Sequence, residues 1–218
     1  MSEIQGEFSK RVGGTSKSKV RITTDTVVRG GREGPKYLGE AVVTGQGGKE
    51  RKFGRLFAKT IDISDIDIEK VMAKYHWLKE RGLPILPTFR FNKETNTLIA
   101  TDLSRGGKRI LVDRHHLLGG HGISPSQIQN LDELGRNIED IASKAYDGGE
   151  GMELNDDNYM LVLDKTATGY QGELYLVDIG YGANFLNDLG TRDRRAASLE
   201  TNKSWARIFM KEIQGLPI

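Results

Sequence analysis

Residues 151–184 read GMELNDDNYMLVLDKTATGYQGELYLVDIGYGAN. An apolar run begins at Tyr159 and ends at Leu163, a polar turn with Gly169 and Gly172 follows, and a second run extends from Glu173 to Val177. Two β-favouring runs joined by a glycine-containing turn predict a hairpin. Asn158 stands immediately before the first strand and Asp178 immediately after the second. Antiparallel pairing brings those two positions to one end of the hairpin, with Glu153 a few residues upstream. An amide oxygen and a carboxylate converging there form a small, hard, oxygen-lined site. That donor chemistry suits magnesium, with phosphate oxygens completing its shell.

Working outward, residues 125–146 carry the clearest helical pattern. Ser124 is a cap, Pro125 takes the first helical position and Gln127 completes a capping box. Ile128, Leu131, Leu134, Ile138, Ile141 and Ala145 make one apolar stripe, and Gly148 and Gly149 end the helix. Further upstream, residues 20–28, 37–44 and 51–61 are rich in Val, Ile and Thr and predict three antiparallel strands. A helix is expected over 64–81, capped by Ser64 and stopped by Gly82 and Pro84. Residues 83–91 and 97–103 predict two more strands. Residues 1–18 are polar and small and predict a flexible arm. Residues 104–122, which hold His115, His116 and His121, lack periodicity and metal-ligand spacing, so a surface connection is expected there. After Asp178 the chain is polar and irregular until a last amphipathic helix from about 198 to 213, expected to bury Trp205, Ile208 and Phe209.

The order Glu153, Asn158, hairpin, Asp178-Ile179-Gly180 resembles the catalytic centre of the protein-kinase-like superfamily, including its small aminoglycoside and choline kinase-like branches. Those families carry an Asp, four residues, an Asn, a hairpin, then Asp-Phe-Gly or a variant. Here Gly151-Met152-Glu153 stands where the family has His-x-Asp. The resemblance implies an α+β, bilobal fold. Residues 19–103 would be an N-terminal lobe of antiparallel sheet plus the 64–81 helix, and residues 104–218 a reduced, mainly helical C-terminal lobe. It implies ATP and Mg2+ as cofactors. Lys59, ending the run Leu56-Phe57-Ala58-Lys59, would contact the α- and β-phosphates. Glu69, near the start of the 64–81 helix, would be its helix partner, with Glu80 in the last turn as the alternative. Gly30, Gly31 and Gly34 would cover the phosphates, although the turn does not spell GxGxxG. Thr101, Asp102 and Leu103 would be the hinge that receives adenine through main-chain groups. Asn158 and Asp178 would hold the metal, and Glu153 would take the acceptor's proton, with Asp156 or Asp157 as the alternative base or a further metal ligand.

Three function classes follow. One is an ATP-dependent phosphotransferase acting on an unidentified hydroxyl acceptor, or a nucleotidyl transferase on the same fold. A second is a pseudokinase acting as a nucleotide-binding or protein-interaction module; Glu153 and the irregular glycine turn motivate it. A third is nucleic-acid binding through Arg29, Arg32, Lys36, Arg51, Lys52 and Arg55. A formal charge of +2 over 218 residues and an aromatic content of 7% argue against that third class. Cysteine is absent, which excludes disulfides and thiolate metal sites. No apolar run approaches membrane-span length and the N-terminus lacks an apolar core segment, so a cytoplasmic protein is expected.

Overall fold

The computed structural model describes residues 3–9, 17–28, 36–44, 48–60, 68–87, 89–92, 97–146, 151–179, 184–185 and 199–217. The protein is mixed α+β, with antiparallel sheets and three α-helices among these residues. It divides into two compact units: Met1–Met72 with Leu86–Gly106, and Ala73–Ile85 with Gly107–Ile218.

The first unit is a six-stranded sheet. Its strands are β1 (Glu3–Ser9), β2 (Lys17–Val28), β3 (Lys36–Thr44), β4 (Glu50–Thr60), β5 (Phe89–Asn92) and β6 (Thr97–Thr101), in the order β1-β2-β3-β4-β6-β5. All neighbours are antiparallel. β1 also runs beside β5, so the sheet curls back toward itself. Successive side chains alternate between faces. One face therefore collects Val20, Ile22, Ala41, Leu56, Ala58 and Ile99 from four strands into a single core.

The expected flexible arm is different: Glu3–Ser9 pairs along its whole length with β2, from Glu3 opposite Thr23 to Ser9 opposite Lys17. Its polar, glycine-containing sequence conceals a strand because an edge strand gains its hydrogen bonds from its neighbour rather than from its own apolar content.

The helix α1 (Ile68–Glu80) buries Ile68, Val71, Met72, Tyr75 and Leu78. The Ser64 cap lies outside the described residues. The helix ends as read from sequence, with Gly82 at φ +67° and Leu83 N–H donating back to the Leu78 carbonyl.

In the second unit, β7 (Ile110–Val112), β9 (Tyr159–Lys165) and β10 (Tyr170–Leu176) form a sheet in the order β10-β9-β7. β8 (Met152–Glu153) pairs with β11 (Asn184–Phe185). The segment read as an irregular surface connection thus contributes β7, which covers the second edge of β9. Three residues are too short for any periodic signal, and only the open edge of β9 makes them a strand. His115, His116 and His121 are exposed.

The single helix expected over 125–146 is two elements. The capping box forms, with Ser124 N–H donating to Gln127 Oε1 at 2.8 Å, but it closes one 3-10 turn, Pro125–Gln127. The chain then extends at Ile128 to bridge Tyr170, and α2 (Leu131–Tyr146) starts afresh. Asn130 initiates it: its carbonyl accepts from Leu134 N–H, and its carboxamide pairs both main-chain groups of Gly172 at 2.9 Å. Capture of Ile128 by the hairpin outweighs the local helix signal. The helix α3 (Leu199–Gln214) buries Asn202, Ala206, Phe209, Met210 and Ile213, whereas Trp205 and Ile208 are only half-buried. No helix among the described residues is long and apolar enough to cross a membrane.

Candidate functional site

The hairpin register pairs Tyr159 with Leu176 at its last rung. Asn158 and Asp178 therefore meet at that end. Val177 N–H donates to the Asn158 carbonyl at 2.9 Å, and Asn158 Nδ2 reaches the carbonyls of Val177 and Asp178 at 3.4 Å each. Asn158 is fully buried, while Asp178 is exposed. Asp178 has φ +51°, an uncommon conformation for a non-glycine residue that Asp tolerates better than most.

Asn155 and Asn158 form a reciprocal cap on the 3-10 turn Asp156–Asn158. Asn155 Oδ1 accepts from Asp157 N–H at 3.0 Å, and Asn158 Oδ1 accepts from Asn155 N–H at 2.9 Å. The Asn158 amide oxygen is thus engaged inside the loop, where it is fully buried.

Asp156 is buried, and a buried carboxylate needs a partner. Arg114 supplies it, with Nη1 2.9 Å from Asp156 Oδ2 and 3.3 Å from Asp157 Oδ2. The turn that carries Arg114 is held by Asp113, whose Oδ1 accepts from the main-chain amides of His115 and His116 at 2.8 and 2.7 Å. Glu153 occupies β8 opposite Asn184. Its neighbours Met152 and Leu154 are fully buried, so strand alternation turns Glu153 to the other side, where it is half-buried.

Among the described residues, no group of three or more His, Asp or Glu side chains forms a protein-only metal cage. The donors at the hairpin end are of the other kind. A carboxylate and an amide oxygen are the small, hard set that magnesium uses when phosphate oxygens and water supply the rest of an octahedron. At the hairpin end the Asp178 carboxylate is exposed, and the Asn158 amide oxygen is buried and accepts from Asn155 N–H.

In the first unit, Lys59 lies near the end of β4, opposite Lys36 in β3 and Leu98 in β6, and is 6% exposed. Glu69 is exposed in the first turn of α1. Gly30, Gly31 and Gly34, and Gly180 of the Asp-Ile-Gly run, lie outside the described residues.

Of the expected hinge, Thr101 closes β6 opposite Leu56, and Leu103 is buried. Asp102 is buried, with its main-chain groups engaged. Its amide donates to the Arg55 carbonyl and its carbonyl accepts from Arg105, so both main-chain groups are used within the unit. Its buried carboxylate accepts from Ser104 N–H at 2.9 Å, Ser104 Oγ at 2.5 Å, Gly106 N–H at 3.0 Å and Arg55 Nε at 3.1 Å. Asp102 organises the turn and does not present groups outward. Arg55 also forks onto Asp25, with Nη2 at 2.7 Å from Oδ1, at a β-bulge in β2. The Asp25 hydrogen bonds, followed by those to Asp102, hold the Arg55 guanidinium charged well above its ordinary value, against the opposing pull of burial. Gly106 makes the room: a Cβ there would sit 2.8 Å from Arg55 Nε.

Sequence reasoning missed Arg114 and Asn202, and named Arg55 only as part of a basic surface, not as the partner of Asp25 and Asp102. For Arg55 and Arg114 no local signal exists, because the carboxylates they bind most closely are 30 and 47 residues away for Arg55 and 42 and 43 for Arg114. Asn202 did carry a signal: it lies seven residues before Phe209 and eleven before Ile213, on the buried stripe of α3. No family model matches the chain, and a search of curated proteins finds no relative.

Proposed function

We propose that the protein is an ATP- and magnesium-dependent phosphotransferase of bilobal, protein-kinase-like fold, acting in the cytoplasm on a hydroxyl acceptor. The observation that carries this reading is the hairpin end, where Asn158 and Asp178 converge directly after the acidic loop of Glu153 and Asp156. The curled antiparallel sheet with α1 between its fourth and fifth strands, and α2 leading into the loop, give the order of parts that such an enzyme needs.

Phosphoryl transfer asks for held phosphates, neutralised charge and an aimed nucleophile. In this reading Lys59 would bind phosphate oxygens, and Asn158 and Asp178 would hold magnesium, whose charge would offset that of the phosphates. The acceptor oxygen forms a bond to the γ-phosphorus as the bond to the β–γ bridging oxygen breaks. ADP leaves, and the acceptor's proton passes to Glu153. Asp156, tied to Arg114, braces the loop.

The test is magnesium-dependent ATP turnover, with nucleotide binding measured by calorimetry. Wild type is expected to bind and to release ADP. Asp178→Ala should abolish turnover, and Lys59→Met should weaken ATP binding by about tenfold or more, the loss of one charge-assisted contact. Release of pyrophosphate instead of ADP identifies nucleotidyl transfer. Absence of both binding and turnover refutes the reading.

A second reading, a nucleotide-binding module without turnover, is favoured by two observations. Asn158 Oδ1 already accepts from Asn155, and Asp156 is already neutralised by Arg114. Magnesium-ATP binding with no turnover, unchanged by Glu153→Gln, identifies it.

A further inference from the structure

Asn202 is a polar residue that begins the buried face of α3, in its first turn, and it is 1% exposed. The other members of that face, Ala206, Phe209, Met210 and Ile213, are apolar. A buried carboxamide is costly unless its groups are paired. Asn202 pairs all of them: Oδ1 accepts from Leu154 N–H at 3.1 Å, and Nδ2 donates to the Met152 carbonyl at 3.0 Å and the Ala142 carbonyl at 3.4 Å.

The carbonyl of residue 152 and the amide of residue 154 face the same edge of an extended chain. The Asn202 carboxamide binds both, as the N–H and C=O of one residue of an adjoining strand would. β8 is two residues long and pairs with β11 at Glu153 opposite Asn184, so Asn202 closes what β11 leaves open. The residue between its two contacts is Glu153. Two residues beyond Leu154 the turn Asp156–Asn158 begins, and the Tyr159 ring that follows packs on Phe209 of the same helix, with centroids 5.6 Å apart. Any apolar residue at 202 would fill the space and leave Leu154 N–H and the Met152 carbonyl buried without partners.

We propose that Asn202 is a positioning residue: it fixes the backbone on both sides of Glu153 and thereby aims the carboxylate and the turn that ends at Asn158. Its catalytic meaning rests on the phosphotransferase reading; its mechanical meaning does not.

The test uses the full chain and two variants. Asn202→Asp keeps the shape and the acceptor for Leu154 but sets a carboxylate against two carbonyls. Asn202→Leu removes all three bonds. In the folded variants, kcat for magnesium-ATP turnover is expected to fall about ten- to a hundredfold, the scale of a misplacement near 1 Å, with KM for ATP unchanged within about twofold. Amide exchange followed by NMR should quicken at least about tenfold at residues 154–158 and stay unchanged in α2 and α3, as for a local opening. Unchanged exchange at 154–158 overturns the proposal, and so does a wild-type kcat in a variant whose loop has loosened.

If wild type neither binds nor turns over magnesium-ATP, the phosphotransferase reading falls, and the exchange result alone decides whether Asn202 holds the loop. If neither variant folds, the side-chain amide protons of Asn202 in wild type decide: slow exchange supports the proposal and solvent-rate exchange overturns it.

Discussion

Gly151→Ala, immediately before the acidic loop, tests the packing on which the candidate site depends. A Cβ at Gly151 would lie 2.0 Å from the Ala145 carbonyl oxygen and 2.5 Å from the carbonyl carbon and oxygen of Tyr146. All three are backbone atoms at the end of α2, so no rotamer change relieves the clash. Overpacking of this kind costs about 1–3 kcal/mol. The Gly151 N–H bond to the Tyr146 carbonyl, 3.1 Å long, is expected to break with it, a further ~1 kcal/mol. Reduced freedom of the unfolded chain returns about 0.4–1 kcal/mol. The net expectation is a loss of about 1–3.5 kcal/mol.

Urea unfolding followed by tryptophan fluorescence reads this well, because both tryptophans, Trp77 and Trp205, belong to the second unit, as Gly151 does. With a urea slope of about 2 kcal/mol per molar, the midpoint should fall by about 0.5–1.8 M. The control is the same substitution in the interior of α2. A Cβ at Gly135 meets nothing within 4 Å, so Gly135→Ala should stabilise by about 0.5–1 kcal/mol. Two changes of the same sign, or a Gly151→Ala midpoint indistinguishable from wild type, would refute the packing argument.

Two other predictions concern charge. Arg55→Lys retains the cation but loses the fork that joins Asp25 to Asp102, and should destabilise by about 1–2 kcal/mol. That corresponds to a melting temperature lower by about 2–8 °C by circular dichroism, and an unshifted melt removes the structural role assigned to that node. The Arg207 guanidinium holds the Glu139 carboxyl below the usual carboxylate range. Its folded value is depressed, so the pair's contribution is present above the unfolded value and is lost as pH falls through the folded one. Glu139→Gln should therefore lower the urea midpoint slightly at pH 7 and leave it unchanged at pH 2. Both side chains are well exposed, so high salt should shrink the difference; an equal effect at both pH values contradicts the assignment.

Much of the local structure is legible in the sequence because short-range physics sets it. The period-2 runs of β2, β3 and β4, the stripe of α2 and the Gly82 stop of α1 are patterns within one element, and each forms close to where the pattern lies. The meeting of Asn158 and Asp178 follows from hairpin register alone. Signals that compete with distant partners are not legible. The Ser124 box closes a single turn because Ile128 is taken by Tyr170, and Glu3–Ser9 is a strand because β2 offers an edge.

The chemistry-bearing side chains divide in the same way. The run from Glu153 to Asp178 announces its own oxygen donors, since residue type and spacing carry that information. What each donor is committed to depends on tertiary partners. Arg114 neutralises Asp156, Arg55 and Ser104 engage Asp102, and Asn202 holds Met152 and Leu154 from 48 to 50 residues away. A carboxylate or amide is the same residue in the sequence whether it faces a ligand or a buried donor, and only the folded chain brings up the group that decides between them.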